Sequence, residues 1–175
     1  MAKLRKMLGD INDPIVVSLM KLIETQSADT LARWALSYVE NNVISIFKRE
    51  YPNDKRLNCV ILATKEYLNG EKTLKDLKNI IKEGKEVIKD VDDNVLGLAS
   101  TRAVLTACST KYSPASALGY TFYSVAAIVY DKIGLLESKE IYDSLAKEEF
   151  NKILESLKLV AVINETNPIK VNWNC

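Results

Sequence analysis

Arg102 is the residue of this chain whose surroundings most strongly suggest a chemical role. It lies in the segment 96–133, which is nearly uncharged in a sequence that is 27% charged overall. The charged residues of that segment are Arg102, Lys111, Asp131 and Lys132. An arginine keeps its charge in a protein, so in apolar surroundings it must reach water, pair with a carboxylate, or bind an anion or a partner. All three alternatives are open, and Arg102 is the first candidate binding residue.

Aromatic residues supply the other candidates for a binding surface or pocket. Four tyrosines lie in the same segment, and the first three are candidates, since each adds apolar area and a hydroxyl to a core, a groove wall or a ligand pocket. Two tryptophans lie elsewhere, one in a long amphipathic stretch and one near the C-terminus. The five residues are Tyr112, Tyr120, Tyr123, Trp34 and Trp173.

Residues suited to acid–base or covalent catalysis are scarce. The sequence has no histidine, which removes the commonest general base, the usual partner of serine and cysteine nucleophiles, and the commonest metal ligand. It also has no glycine-rich phosphate loop and no dinucleotide-binding fingerprint. Because Cys59, Cys108 and Cys175 are far apart and form no CxxC pair, we expect reduced thiols. The sequence therefore predicts no catalytic residue, no cofactor and no metal.

A row of charged residues between positions 75 and 89 is open to two interpretations. A narrow apolar face in this stretch predicts a helix, and the charges lie on the opposite face. Mixed charges on such a face are typical of an ordinary solvated surface, but they also suit an interaction surface. The residues are Lys75, Lys78, Lys82, Glu83, Lys85, Glu86 and Lys89.

A buried helical hairpin is predicted to position Arg102 and the tyrosines. Its first helix, about 95–112, carries small side chains at every fourth position, which lets another helix come close. These are Ala99, Ala103 and Ala107. The second helix, about 114–133, starts at Ser113-Pro114 and is apolar or small on every face. Its apolar run, 115–130, is interrupted by Thr121 and Ser124 and is shorter than the roughly 20 residues of a membrane span, so we expect the hairpin at the centre of the protein.

The rest of the chain is predicted to be helical as well. Apolar residues recur at steps of three and four between turn signals, and no segment alternates with a period of two. We expect an all-α fold of about seven helices in a single antiparallel array or bundle, forming one domain of residues 1–175. The tail 164–175 is rich enough in apolar residues to dock on the helices, with Trp173 as its anchor. The alternative is an exposed Trp173 that binds a partner.

Charge and targeting signals limit the partners and the compartment. The chain has 24 basic and 23 acidic residues, a net charge of +1, and no strongly basic segment, so nucleic acid is not an expected partner. Residues 1–10 contain no long apolar stretch before a cleavage site, so we predict no secretory signal. We expect a cytoplasmic protein that does not bind membranes.

Several short motifs follow one another along the chain. They are Leu8-Gly-Asp-Ile-x-Asp-Pro14, Ser18-Leu-Met-x-Leu-Ile-Glu-Thr-Gln-Ser27, Trp34 with Tyr38 and Glu40, Tyr51-Pro-x-Asp54 with Arg56, Arg102 in an alanine-rich helix, Asn167-Pro168, and Trp173-Asn-Cys175. In the order of these motifs, the chain resembles the Imm-5-like family of polymorphic-toxin immunity proteins over nearly its whole length. Members of that family often carry histidine near the hairpin turn, where this chain has Lys111-Tyr112-Ser113, so a histidine-dependent function is not expected here.

Two functional hypotheses follow. The resemblance implies a small all-α protein that binds and neutralises a cognate protein toxin and turns over no substrate. The residues themselves leave open a small cytosolic enzyme or ligand-binding protein with a pocket around Arg102 and the hairpin tyrosines. The two hypotheses differ in whether Arg102 opens into a ligand-sized pocket or is covered by a partner.

Overall fold

Helices make up the regular structure of residues 3–173, the part of the chain that the computed structural model describes. Met1, Ala2, Asn174 and Cys175 lie outside it, and with them the predicted free thiol of Cys175 and the end of the Trp173-Asn-Cys175 motif. Residues 3–173 contain nine α-helices and no β-strand. The helices are α1 (Pro14–Ile23), α2 (Ala28–Asn42), α3 (Ile44–Glu50), α4 (Arg56–Leu68), α5 (Leu74–Gly84), α6 (Glu86–Asp90), α7 (Val95–Cys108), α8 (Ser116–Ile133) and α9 (Lys139–Val160).

Two of these helices are short continuations of the helix before them. Only Val43 separates α3 from α2, and only Lys85 separates α6 from α5. If α2 and α3 are counted as one interrupted helix, and α5 and α6 as another, the nine helices form the seven helical segments that the periodicity predicts. The all-α prediction is confirmed, and the antiparallel direction of the array stays a prediction.

Helix ends follow the local signals in the sequence. The side chains of Asp13 and Ser27 cap α1 and α2 by accepting hydrogen bonds from backbone N–H groups of the first turn. Thr73 and Asp76 form the expected capping box at the start of α5. Gly70, just after α4, has a φ of 81°, a left-handed conformation that glycine adopts without steric cost.

The hairpin of α7 and α8 lies at the centre of the fold. α7 packs along α8 and also contacts α2, α3, α4, α5 and α6. Its small residues Ala99, Ala103 and Ala107 are buried, as the spacing predicts. α8 begins two residues later than predicted, because the Ser116 N–H donates to the Ser113 carbonyl at 2.9 Å and closes a tight turn before the helix. No helix of residues 3–173 combines the length and the apolar character that crossing a bilayer requires.

The C-terminal segment lies against the connection between α1 and α2. The Gln26 amide donates to the Val162 carbonyl at 3.1 Å and accepts from the Val162 N–H at 2.8 Å. The Ile169 N–H donates to the Gln26 carbonyl at 2.9 Å, and Ser27 and Pro168 form an isolated antiparallel bridge. That residues 1–175 form a single domain with 164–175 as its docked tail stays a prediction.

Candidate functional site

Arg102 lies at the surface of α7 without a carboxylate partner. Its side chain is half-buried, and its guanidinium carbon is 5.9 Å from the centre of the Tyr123 ring on α8. Each of the other four arginines pairs with an aspartate; these are Arg5, Arg33, Arg49 and Arg56. Within residues 3–173 no such ion pair forms at Arg102, so its charge is left to water or to an anionic group outside that part of the chain.

One side of Arg102 opens into a cavity, here called the hairpin groove, which lies between α7, α6 and the turn from α7 to α8. Its volume is about 320 Å³. Two cations and the hydroxyl groups of four serine and threonine residues line it together with Tyr112, and no described carboxylate does so. The polar residues are Lys85, Arg102, Thr106, Ser109, Ser113 and Ser116. Cations beside hydroxyl donors, without a competing carboxylate, favour the binding of an oxyanion such as a carboxylate group.

The other side of Arg102 opens into a second cavity of about 620 Å³, here called the N-terminal hollow. Apolar side chains from α7 and from the loop after α8 form much of its wall. Its charged rim consists of Lys3, Arg5, Lys6, Arg102 and Asp92. Leu136 stands at its edge with 83% of its surface exposed. Arg102 therefore separates a polar groove from an apolar hollow.

Four lysines extend the cationic surface beyond the hairpin groove and are here called the lysine row. They are Lys75, Lys78, Lys82 and Lys85. At about 100° of rotation per helical residue, their positions fall within an arc of roughly 80°. All four are exposed, and none pairs with a carboxylate of residues 3–173. Because Lys78 Nζ is 5.1 Å from the centre of the Tyr112 ring and Lys85 lines the hairpin groove, the row continues directly into that groove.

Most acidic residues of α5 and α6 lie away from the lysine row. Asp76, Glu83 and Asp90 are rotated by about 100° or more around the helix axis from the middle of the row. Asp76 is held in the capping box, and Asp90 pairs with Arg56 at 2.8 Å. Glu86 is the exception, and Lys89 pairs with it at 2.7 Å. The charged residues that the sequence shows as one row of mixed sign are therefore largely separated in the structure, with the lysines on one side of the helix and most carboxylates on another.

Two of the candidate tyrosines belong to this surface. Tyr112 and Tyr123 are half-buried, and each has a cation over its ring, Lys78 and Arg102 respectively. The Tyr112 hydroxyl donates to Ser109 Oγ at 3.1 Å. Since a cation–π contact at an exposed site contributes about 0.5–1 kcal/mol, the two rings help to hold the cations in place.

Tyr120 and Trp34 lie in the core, away from the hairpin groove. Tyr120 is 0% exposed, and its ring packs edge-on against Trp34 with ring centres 5.2 Å apart. Burial, and to a smaller extent Tyr38, raises the pKa of Tyr120. Trp34 donates its indole N–H to Ser156 Oγ at 2.9 Å and borders a separate cavity of about 350 Å³ between α2 and α9.

Trp173 lies at a third place, beside a cleft of about 940 Å³. The N-terminal segment, α8 and α9 line this cleft, with Phe122 and Phe150 among its apolar residues. The Trp173 indole N–H donates to Glu24. The six candidate residues therefore occupy three separate places, and only Arg102, Tyr112 and Tyr123 lie together.

The surface around Arg102 is suited to binding an anionic group. Nowhere in residues 3–173 do three or more His, Cys, Asp or Glu side chains converge as metal ligands. Burial raises the pKa of the Cys108 thiol to about 12, so this thiol stays protonated at neutral pH. Charge and hydrogen-bond donors are thus what the hairpin groove offers a ligand.

Most of the chain can be assigned to a family. Residues 21–156 match the family described as Imm-5 like putative immunity protein. The chain belongs to this family. No curated protein and no solved structure matches it. The resemblance seen in the sequence motifs is confirmed, and the matched segment contains the lysine row and the hairpin groove but not Trp173.

Sequence reasoning identifies the lysine row but misses its connection to Arg102. The spacing of the four lysines, at i, i+3, i+7 and i+10, is a signal that could separate them from the neighbouring acidic residues. The hydroxyls of Thr106, Ser109 and Ser116 give no comparable signal, because their convergence depends on how α7 packs against α8.

Proposed function

We propose that this chain is a bacterial immunity protein that binds a cognate toxin protein and neutralises it by forming a protein–protein complex. The observation that carries the proposal is membership of the Imm-5 like family, which residues 21–156 establish. We place the complex in the cytoplasm, where thiols stay reduced, since Cys59 and Cys108 are both free cysteines.

An inhibitor of this kind acts by covering its target. A specific protein interface buries about 800 Å² on each partner, and a few residues near its centre contribute most of the binding free energy. The cationic surface around Arg102 supports the proposal, because its four lysines are exposed, Arg102 is half-buried, and none of the five pairs with a carboxylate of residues 3–173. The protein consumes no substrate in this scheme, so one molecule silences one toxin molecule.

A small enzyme or ligand-binding protein is the second candidate. The hairpin groove favours it, because a volume of about 320 Å³ lies at the lower end of the range for small-molecule pockets. Such pockets are mostly apolar and enclose their ligand. The polar wall of this groove continues into an exposed lysine row, which suits a larger partner better.

The proposal is tested by identifying the partner and then measuring stoichiometry. Affinity purification of the tagged full-length protein from its native host, followed by mass spectrometry, provides candidate partners. Each candidate is then purified with the protein and co-expressed with it in a growth assay. We expect a complex of fixed stoichiometry and growth rescue only when the protein is present in at least equal amount.

Two results would overturn the proposal. One is that no toxic partner forms a stable complex with the protein. The other is that far fewer protein molecules than toxin molecules rescue growth while no complex is detected. The second result would support the enzyme.

A further inference from the structure

The lysine row and Arg102 form one surface whose positive charges pair with no carboxylate in the part of the chain that the structure describes. Elsewhere, eight lysines and four arginines contact carboxylates, so acidic residues are not scarce. Like charges three or four positions apart on a helix repel each other. An acidic surface from another molecule would relieve this repulsion.

The hairpin groove adds a specific receptor to this surface. Lys85 and Arg102 lie on its wall together with four hydroxyl groups. A guanidinium and an ammonium both donate strong hydrogen bonds to a carboxylate, and the hydroxyls of Thr106, Ser113 and Ser116 can donate as well. The Ser109 hydroxyl already donates to the Leu105 carbonyl at 2.9 Å. The groove can therefore receive one acidic side chain while its neighbours pair with the lysine row.

The N-terminal hollow adds apolar area on the other side of Arg102. Leu98 and Leu135 line it, and Leu136 at its edge is almost fully exposed. Protein interfaces combine an apolar centre with polar and charged surroundings, and arginine is enriched in them. The lysine row, at about 1.5 Å per residue, adds roughly 15 Å of charged length to this arrangement.

We propose that this surface docks an acidic face of a protein partner, with one carboxylate of the partner entering the hairpin groove between Lys85 and Arg102. The inference rests on the proposed function, because it specifies the chemistry of the protein that the immunity protein binds. The apolar contacts are made at the N-terminal hollow, and the lysine row supplies charge pairing at the rim.

A protein fits this surface better than a nucleic acid does. Proteins that bind single strands stack bases on free aromatic faces. Here the rings of Tyr112 and Tyr123 are covered by Lys78 and Arg102. A phosphate backbone also gains nothing from the apolar wall of the hollow and the exposed Leu136, although the cations at the rim of the hollow would attract it. The test below therefore includes an oligonucleotide as a competing ligand.

Two full-length variants with the same net charge test the proposal. In the row variant, Lys75, Lys78, Lys82 and Lys85 are all changed to Glu. In the control variant, Lys21, Lys48, Lys132 and Lys170 are changed to Glu. All eight lysines are exposed, and none forms an ion pair within residues 3–173. Thermal denaturation shows whether both variants fold, and Arg102→Gln serves as a milder third variant that changes one surface position.

The first measurement needs no knowledge of the partner. Isotope-labelled protein is titrated with an octaglutamate peptide at about 0.15 M salt, where charges further apart than roughly 8 Å are screened. We expect saturable chemical-shift changes confined to α5, α6 and the hairpin groove, and at least a tenfold weaker affinity for the row variant than for the control variant. Inorganic phosphate and a single-stranded oligonucleotide are titrated in parallel and should bind more weakly.

The second measurement uses the toxic partner found in the stoichiometry experiment. The row variant and Arg102→Gln should each weaken the complex by at least about tenfold, because unpaired or like charges at an interface are costly, and the control variant should bind normally. If wild-type protein forms no complex with any toxic protein, the proposed function itself fails.

If wild-type, row and control proteins all form the complex equally well, only the acidic-partner inference fails. Shift changes spread over the whole surface, or equal weakening of octaglutamate binding in both variants, would also overturn it. If the oligonucleotide or free phosphate binds more tightly than octaglutamate, the surface binds nucleic acid or phosphate and not an acidic protein, and the inference is wrong.

Discussion

Gln26 holds both backbone polar groups of Val162. Its Nε2 donates to the Val162 carbonyl at 3.1 Å, and its Oε1 accepts from the Val162 N–H at 2.8 Å. Gln26 is only 1% exposed, so water cannot readily replace these two hydrogen bonds. The residue lies in the Ser18–Ser27 motif of the family resemblance, which gives this motif a structural role in holding the chain after α9.

Gln26→Leu should destabilise the protein by about 1–2 kcal/mol, because it removes the two hydrogen bonds between the buried Gln26 side chain and the Val162 backbone while the side-chain volume is nearly kept. Urea denaturation measures the loss. Asn41→Leu is the control, since the exposed Asn41 amide bonds only to Ser37 in its own helix. Equal stability of the two variants would show that the contacts of Gln26 with Val162 contribute nothing.

Tyr120 and Tyr130 form a matched pair for testing buried hydroxyl groups. Both are buried on α8, but the Tyr130 hydroxyl donates to the Arg5 carbonyl at 2.8 Å, whereas the Tyr120 hydroxyl has no partner within residues 3–173. Tyr130→Phe should therefore cost about 1 kcal/mol, and Tyr120→Phe should leave stability unchanged or raise it. Chemical denaturation of wild type and both variants in one buffer measures the two changes in the free energy of unfolding. A larger loss for Tyr120→Phe would mean that its hydroxyl has a partner inside the folded protein.

Ala103→Leu tests the close packing of the central hairpin. Ala103 is 0% exposed, and added side-chain volume must displace its neighbours, at a cost of roughly 1–3 kcal/mol. Ala115→Leu, at an exposed position just before α8, should change stability by less than about 0.5 kcal/mol. Urea denaturation measures the change in the free energy of unfolding for both variants. A loss below about 0.3 kcal/mol for Ala103→Leu is incompatible with a tightly packed hairpin.

Asp54 should give the protein an acid-sensitive contribution to stability. A side-chain hydrogen bond from Arg56, whose Nη2 lies 2.7 Å from Asp54 Oδ2, lowers the pKa of Asp54 below its usual value of 3.8. Because the folded-state pKa is the lower one, this stabilisation is present above about pH 3.8 and is lost as the pH falls through the folded-state pKa. Denaturation measured from pH 6 down to pH 2.5 should show a shallower decline for Asp54→Asn than for wild type. Parallel curves for the two proteins would exclude this contribution.

Local features of this fold are predictable from sequence, and contacts between distant segments are not. The caps at Asp13 and Thr73 and the turn at Gly70 follow from residues within a few positions of each helix end. The contacts of Gln26 with Val162 join positions 136 residues apart and leave no periodic signal. In the same way, a tyrosine at 112 and one at 120 look alike in the sequence. Packing alone places the first at the hairpin groove and the second in the core.

The arrangement of lysines on α5 makes a nearly neutral protein electrically asymmetric. With an isoelectric point of about 7.6, the molecule as a whole is negative above that pH. Charged resins respond to a local concentration of charge as well as to the total, because the field near a patch is set by the closest groups. We therefore expect retention on a cation-exchange column slightly above pH 7.6, with the lysine row turned toward the matrix. The column would thus orient the protein while purifying it.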